Sequence, residues 1–184
     1  MIQKEIVSTY SNRILNNLLY QGFSNDCGPY SATTVIKSIR NLDPDPKRVA
    51  SELNKPSWRS FFPIIRRIPN FATFPWGMVD LFNRYGIHAR WRCFIPFSYL
   101  QENLEREKIF LPVIASLHPF WAHIMILIAL HPIKGCGFAN TQFANHEIYW
   151  VPLQQFRQQW RLTLNCVIEV HSFSFPSCDS HIGF

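Results

Sequence analysis

The sequence predicts an α+β domain in which a helical half packs on an antiparallel sheet half. Three observations carry that prediction. Apolar residues recur at helical spacing through the first half, and short alternating or continuous apolar runs fill the second. In 184 residues, 47% are hydrophobic and 16% charged, enough apolar material for one buried core. Thirteen prolines against seven glycines add many fixed turns, which argues against a plain helical bundle.

Taken in order, residues 5–9 read as a strand and 13–19 as a short helix. After Pro29, the residues Ala32, Val35, Ile36 and Ile39 repeat at helical spacing until Asp43-Pro44-Asp45-Pro46 stops the helix. A second short helix is expected over 47–54. Residues 55–75, rich in proline and aromatics, read as an irregular surface-crossing segment whose rings belong to the core rather than to a groove. Met78, Leu81, Phe82 and Tyr85 stripe a helix over 75–85, and Gly86 stands where a glycine cap belongs. Ile87, Ala89, Trp91 and Cys93 then alternate with His88, Arg90 and Arg92, as in a half-buried strand. Ser98 and Gln101 suggest a capping box for a helix running through Lys108. Strands follow over 109–117, 123–130, near Phe138, over 148–151 and over 164–171, with a helix at 153–160 before the last. One domain over 1–171 is expected, with 172–184 as a loosely held tail.

Composition narrows the function classes. The net charge of +6 is scattered in single residues and short pairs, without a basic block, zinc-finger spacing or glycine-rich phosphate loop. That argues against a nucleic-acid partner and leaves a mildly basic surface. Cysteines at 27, 93, 136, 166 and 178 include no Cys-x-x-Cys pair, so neither a metal site nor a redox motif is expected. The N-terminus lacks the apolar core of a secretory signal, and the apolar run 124–130 falls short of the ~20 residues that span a bilayer. A cytoplasmic location with free thiols follows as the expectation, with export by another route left open.

The chemistry concentrates in Gln21-Gly-Phe-Ser-Asn-Asp-Cys27-Gly-Pro29. Proline suits the first helical position, so Pro29 is expected to open the helix, with Cys27 at its unpaired N–H groups. A thiolate is stabilised there, and the Cys27 pKa should fall, further still beside a histidine. Gly28 would leave the backbone open for a substrate carbonyl. On position alone a structural cysteine is equally acceptable. Gln21 tips the balance, because its amide near the Cys27 N–H would complete a two-donor oxyanion hole.

Gln-x5-Cys-Gly-Pro at a helix start resembles the papain-like cysteine peptidases. It is most similar to the bacteriocin-processing, double-glycine-leader branch and its stand-alone relatives, where the nucleophile often follows Asn-Asp, as Cys27 follows Asn25-Asp26. The resemblance covers roughly residues 15–170 and implies a helical lobe followed by a sheet lobe. It also implies a catalytic histidine at the head of an apolar strand, and His123 in Phe-Trp-Ala-His-Ile-Met-Ile-Leu fits that place. Ala122 and Ile124 replace the glycine and aromatic usual around that histidine. The orienting residue, Asp in this branch and Asn in papain-like enzymes, falls on Asn140, with Asn145 as the alternative. Phe156 or Trp160 should pack beneath the sheet. The implied function is a cofactor-free cysteine hydrolase acting on a peptide or protein, with Cys27, His123, Asn140 and Gln21 as its machinery. The alternatives are an acyltransferase or transpeptidase on the same triad, or a catalytically idle peptide-binding module.

Overall fold

A computed structural model describes residues 2–59 and 61–171; the tail expected over 172–184 lies outside the described residues. Strand β1 (Ile6–Val7) leads into α1 (Ser11–Asn16), which ends earlier than the sequence suggests. The long helix α2 (Cys27–Arg40) starts at Cys27, two residues before Pro29. Proline is tolerated here because no N–H of a first turn has an intrahelical partner to lose. Every residue of α2 from Gly28 to Ile36 is buried, and the helix ends at Asn41 in the left-handed region (φ 55°). Helix α3 (Pro46–Asn54) follows, capped by the Asp45 carboxylate, which accepts from the Lys47 N–H at 3.1 Å.

Residues 55–75 are more ordered than expected. They form two small hairpins, β2 (Ser57–Arg59) with β3 (Phe62–Ile64), and β4 (Arg67–Ile68) with β5 (Ala72–Thr73). Their rings do not join the core: Trp58, Phe61, Phe62 and Phe71 are all exposed. A two-stranded ribbon has only one face to bury, and helical periodicity gave no sign of which rings that face would leave outside.

Helix α4 (Pro75–Arg84) and strand β6 (Ala89–Arg92) come where expected. Helix α5 (Phe97–Asn103) begins one residue after Pro96, so Ser98 lies inside the first turn and caps nothing. Fixing the start at Pro96 lets Phe97 bury against Phe156, with ring centroids 6.2 Å apart. Lys108 opens the long strand β7 (Lys108–Leu117) rather than closing that helix.

The apolar run at 123–130 is divided between β8 (Phe120–Ile124) and β9 (Ile126–His131). Both pair with β7 in one register, Val113 with Ile124 and Phe110 with Leu127, which sets Pro112 opposite Met125. Pro112 has no N–H to give, so the ladder breaks there. Strands β10 (Gly135–Ala139) and β11 (Tyr149–Val151), helix α6 (Leu153–Arg161) and strand β12 (Val167–His171) complete the chain.

The antiparallel sheet runs β11-β10-β9-β7-β12-β6, with β1 beside β9 and β8 beside β7. On one face Val35, Ile36, Met78 and Phe82 of the helices pack on Leu111, Ile126 and Ile168. On the other, Leu100, Phe156 and Trp160 cover Phe110, Leu127 and Phe138. The α+β expectation holds, and both Phe156 and Trp160 lie beneath the sheet. Among the described residues no helix is long and apolar enough to cross a membrane.

Candidate active site

Cys27 owes its position to three contacts made by residues around it. Asp26 accepts a charge-assisted hydrogen bond from Arg67, a 3%-exposed side chain of β4 that also donates to Asn54 Oδ1 at 2.5 Å. Asn25 Nδ2 donates to the Asn70 carbonyl at 2.8 Å, in the turn between β4 and β5. Ser31 Oγ, one turn into α2, donates to the Ile124 carbonyl at 3.3 Å and ties the helix to the end of β8. The Asn-Asp pair before the cysteine thus clamps the β4–β5 hairpin to the helix start. Gly28 belongs to the same clamp. A Cβ there would lie 2.6 Å from Thr73 Cβ, so close packing, not open access for a substrate, requires the glycine.

The thiol itself departs from expectation. Cys27 is half-buried, and burial raises its pKa above the ordinary value of 9.0. Hydrogen bonds to sulfur from the backbone at Ile124, Gly28 and Cys27 itself pull the other way, Asp26 adds to the rise, and the net direction is upward. The helix N-terminus does supply donors, as the sequence suggests, but desolvation outweighs them.

His123 sits on β8 opposite Ile114 and is 7% exposed. Its Nε2 lies 2.9 Å from Oδ1 of Asn140, which is 3% exposed. That oxygen also accepts the Gln142 N–H at 3.1 Å. A backbone donor identifies the atom as the amide oxygen, so Nε2 must carry the proton and Nδ1 keeps the lone pair. Burial lowers the His123 pKa from 6.5, and the bond to Asn140 offsets only part of that.

Gln21 is fixed from the same loop as Asn140. Its N–H donates to the Thr141 carbonyl at 2.8 Å, and the fully buried Thr141 hydroxyl donates to Oε1. With Oε1 engaged, Nε2 gives one hydrogen to the Ser24 carbonyl at 2.8 Å and retains another. Thr141 thereby couples the two ends of the site. Sequence reading missed it, although its place immediately after Asn140 is a signal of sorts.

All four expected residues, Gln21, Cys27, His123 and Asn140, line one cavity of about 320 Å³. Asn145 does not; its amide donates to Glu147 at 3.1 Å in an exposed loop. Ile114, Trp121 and Met125 form an apolar wall, while Gln142, Gln155 and Gln159 add neutral amides. Among the described residues no charged side chain lines it. Phe71, exposed at the β4–β5 turn, borders the cavity and stacks toward Phe120 at 6.4 Å.

No protein-family model matches the chain, and no curated protein matches it by sequence. Solved structures do. A C39-like peptidase from Bacillus anthracis superposes with a TM-score of 0.70 at 12% identity, over 94% of this chain and 100% of that one. The fold is that of the C39-like, papain-type peptidases. A double-glycine-motif protease from an AMS/PCAT transporter, solved with a leader peptide, gives a TM-score of 0.58 at 12% identity, over 84% of this chain and 89% of its own. The peptidase domain of Streptococcus ComA, from a bifunctional ABC transporter, gives 0.58 at 13%, over 84% and 97%. The C39-like fold accounts for the order read above, with helices first, sheet second, and a cysteine helix crossing the end of the histidine strand.

Proposed function

We propose that the chain is a cysteine peptidase that cleaves an uncharged stretch of a peptide or protein substrate. One observation carries the reading: His123 spends Nε2–H on Asn140, which leaves Nδ1 as the basic nitrogen of a ring that shares a cavity with Cys27. The C39-like fold supports it. Burial favours the neutral forms of both groups, so the proton leaves sulfur as the S–C bond forms, with Nδ1 as general base. The developing oxyanion takes hydrogen bonds from the Cys27 N–H and the remaining hydrogen of Gln21 Nε2. The imidazolium then protonates the leaving amine, and water attacks the thioester. Asn140 keeps the ring in one tautomer throughout, and no cofactor takes part.

The cavity sets the substrate class. A charged side chain entering a space lined by amides and apolar groups would lose hydration without gaining a counter-charge. Profiling a mixed peptide library by mass spectrometry tests both statements. Cleavage should occur between uncharged residues, and Cys27→Ala, folded by circular dichroism, should cleave nothing. New C-termini bearing an amine in place of water would make the protein an acyltransferase instead. Cleavage that persists in Cys27→Ala would sink the proposal.

A further inference from the structure

Two other cysteines face each other outside this cavity. Strands β6 and β12 pair Arg92 with Val167, Trp91 with Ile168 and Arg90 with Glu169. Both strands end at that last pair, Arg92 with Val167, and the same register continued by one step brings Cys93 opposite Cys166. The His171 N–H donates to the His88 carbonyl at 2.9 Å, which makes 88/171 a hydrogen-bonded pair. Hydrogen-bonded pairs alternate along an antiparallel ladder, so 90/169 and 92/167 share that character and 93/166 does not. At such non-hydrogen-bonded positions Cα atoms stand about 4.5 Å apart with side chains close, inside the ~4.4–6.8 Å span that a disulfide bridges. Cys93 is near enough to act on the Cys166 thiol, whose pKa it helps to raise.

The surrounding backbone is held firmly. Phe94 N–H donates to the Leu164 carbonyl at 2.7 Å, while the Cys166 carbonyl accepts from Trp160 Nε1 at 2.8 Å and from Val113 N–H at 3.1 Å. Cys166 is 5% exposed and Cys93 half-buried, so an oxidant reaches Cys93 first. Burial and the neighbouring Cys93 push the Cys166 thiol up to about 12, so Cys166 is the slower of the two to meet an oxidant by itself.

We propose that Cys93 and Cys166 are a redox pair that closes to a disulfide under hydrogen peroxide, bracing edge strand β6 to β12. Cys93 sulfur attacks a peroxide oxygen, the O–O bond breaks, and a sulfenic acid and one water result. Cys166 sulfur then displaces the hydroxyl, which leaves with the Cys166 proton as a second water. Two thiols have lost two electrons and two protons, and one peroxide has become two waters. The bridge would close a loop that contains His123 and Asn140, while Cys27 stays reduced.

The test uses the full chain, oxidised with limiting hydrogen peroxide, blocked with N-ethylmaleimide and digested without reductant. Expected are a linked Cys93–Cys166 peptide, free Cys27, and a Tm raised by roughly 5–10 °C that reductant reverses. Cys93→Ser, at a half-buried site, should lose both the link and the Tm gain, whereas Cys178→Ser should keep both. Links through Cys27, Cys136 or Cys178, or sulfinic acid at Cys93 without a link, would overturn the proposal. The outcome does not depend on whether the protein cleaves peptides.

Discussion

Glu169 and His123 are both buried on strands of one sheet, Glu169 at 0% and His123 at 7% exposure, yet they keep very different company. Glu169 accepts from Arg90 at 3.1 and 3.2 Å and from the Tyr99 hydroxyl at 3.0 Å, with Lys108 Nζ at 2.9 Å. Burial alone would raise its pKa; the hydrogen bonds and charges of Arg90 and Lys108 instead hold it at about 2. His123 has a neutral amide, and the nearby Cys27 has backbone donors. There burial prevails, lowering the histidine and raising the thiol. A buried carboxylate ringed by cations is ionised for good and serves structure. A buried acid and base with no counter-charge to hold either ionised keep a proton that can still move, which suits chemistry.

Short of removing Cys27 or His123 themselves, the largest effect expected from this cluster comes with Gln21→Ala. Removing one oxyanion donor should cut turnover by about 10²–10³-fold, chiefly in kcat, since that contact tightens only as charge develops on the substrate oxygen. Wild-type kcat in this variant, measured on any substrate found by library profiling, would reduce Gln21 to a brace for Thr141.

That this residue could be singled out at all reflects what local sequence encodes. Gln21 and Cys27 belong to one short segment whose helix start, proline and spacing are local, and the fold class followed from periodicity that is equally local. His123 and Asn140 needed the family resemblance, because strand pairing, not sequence proximity, brings them together. The Cys27 pKa runs opposite to the expectation because helix N-terminal donors are visible in sequence and desolvation is not. Thr141, the Arg67 clamp and the division of 123–130 opposite Pro112 all depend on partners 13 to 120 positions away, where no local pattern points.

A smaller change should follow from adding charge beside His123. Asn140→Asp sets a carboxylate against Nε2, which favours the imidazolium and raises the His123 pKa. The base must be neutral to accept the thiol proton, so activity is lost as pH falls through that pKa. In the wild type the acid limb of kcat/KM lies below 6.5, because burial lowers the group. In Asn140→Asp the limb should move upward, with turnover above it preserved to within about tenfold. Asn140→Ala should leave the limb low and reduce turnover, less severely than His123→Ala, while Asn145→Ala changes neither. An acid limb that stays put in Asn140→Asp would mean the ring is not the base, and the contrast with Glu169 would lose its meaning.

The smallest effect on turnover belongs to Glu169→Gln, which should leave kcat unchanged and act on stability alone. Arg90 and Lys108 would keep their charges without the carboxylate, a loss of roughly 3 kcal/mol and about 10 °C in Tm near neutral pH. The lower end of the buried-pair range applies because the Arg90 side chain is 47% exposed and can be hydrated in place. The pH dependence has a definite sign. Glu169 is depressed from 4.5 to about 2, so its contribution is fully present above 4.5 and is lost as pH falls toward 2. Wild type and variant should therefore differ most above pH 4.5 and converge in acid. Thermal melts across that range, beside kcat measured well below either Tm, separate the two clusters: a variant that melts early but turns over normally keeps them distinct, and one whose kcat falls with its Tm would show that the cation-ringed carboxylate supports the chemistry after all.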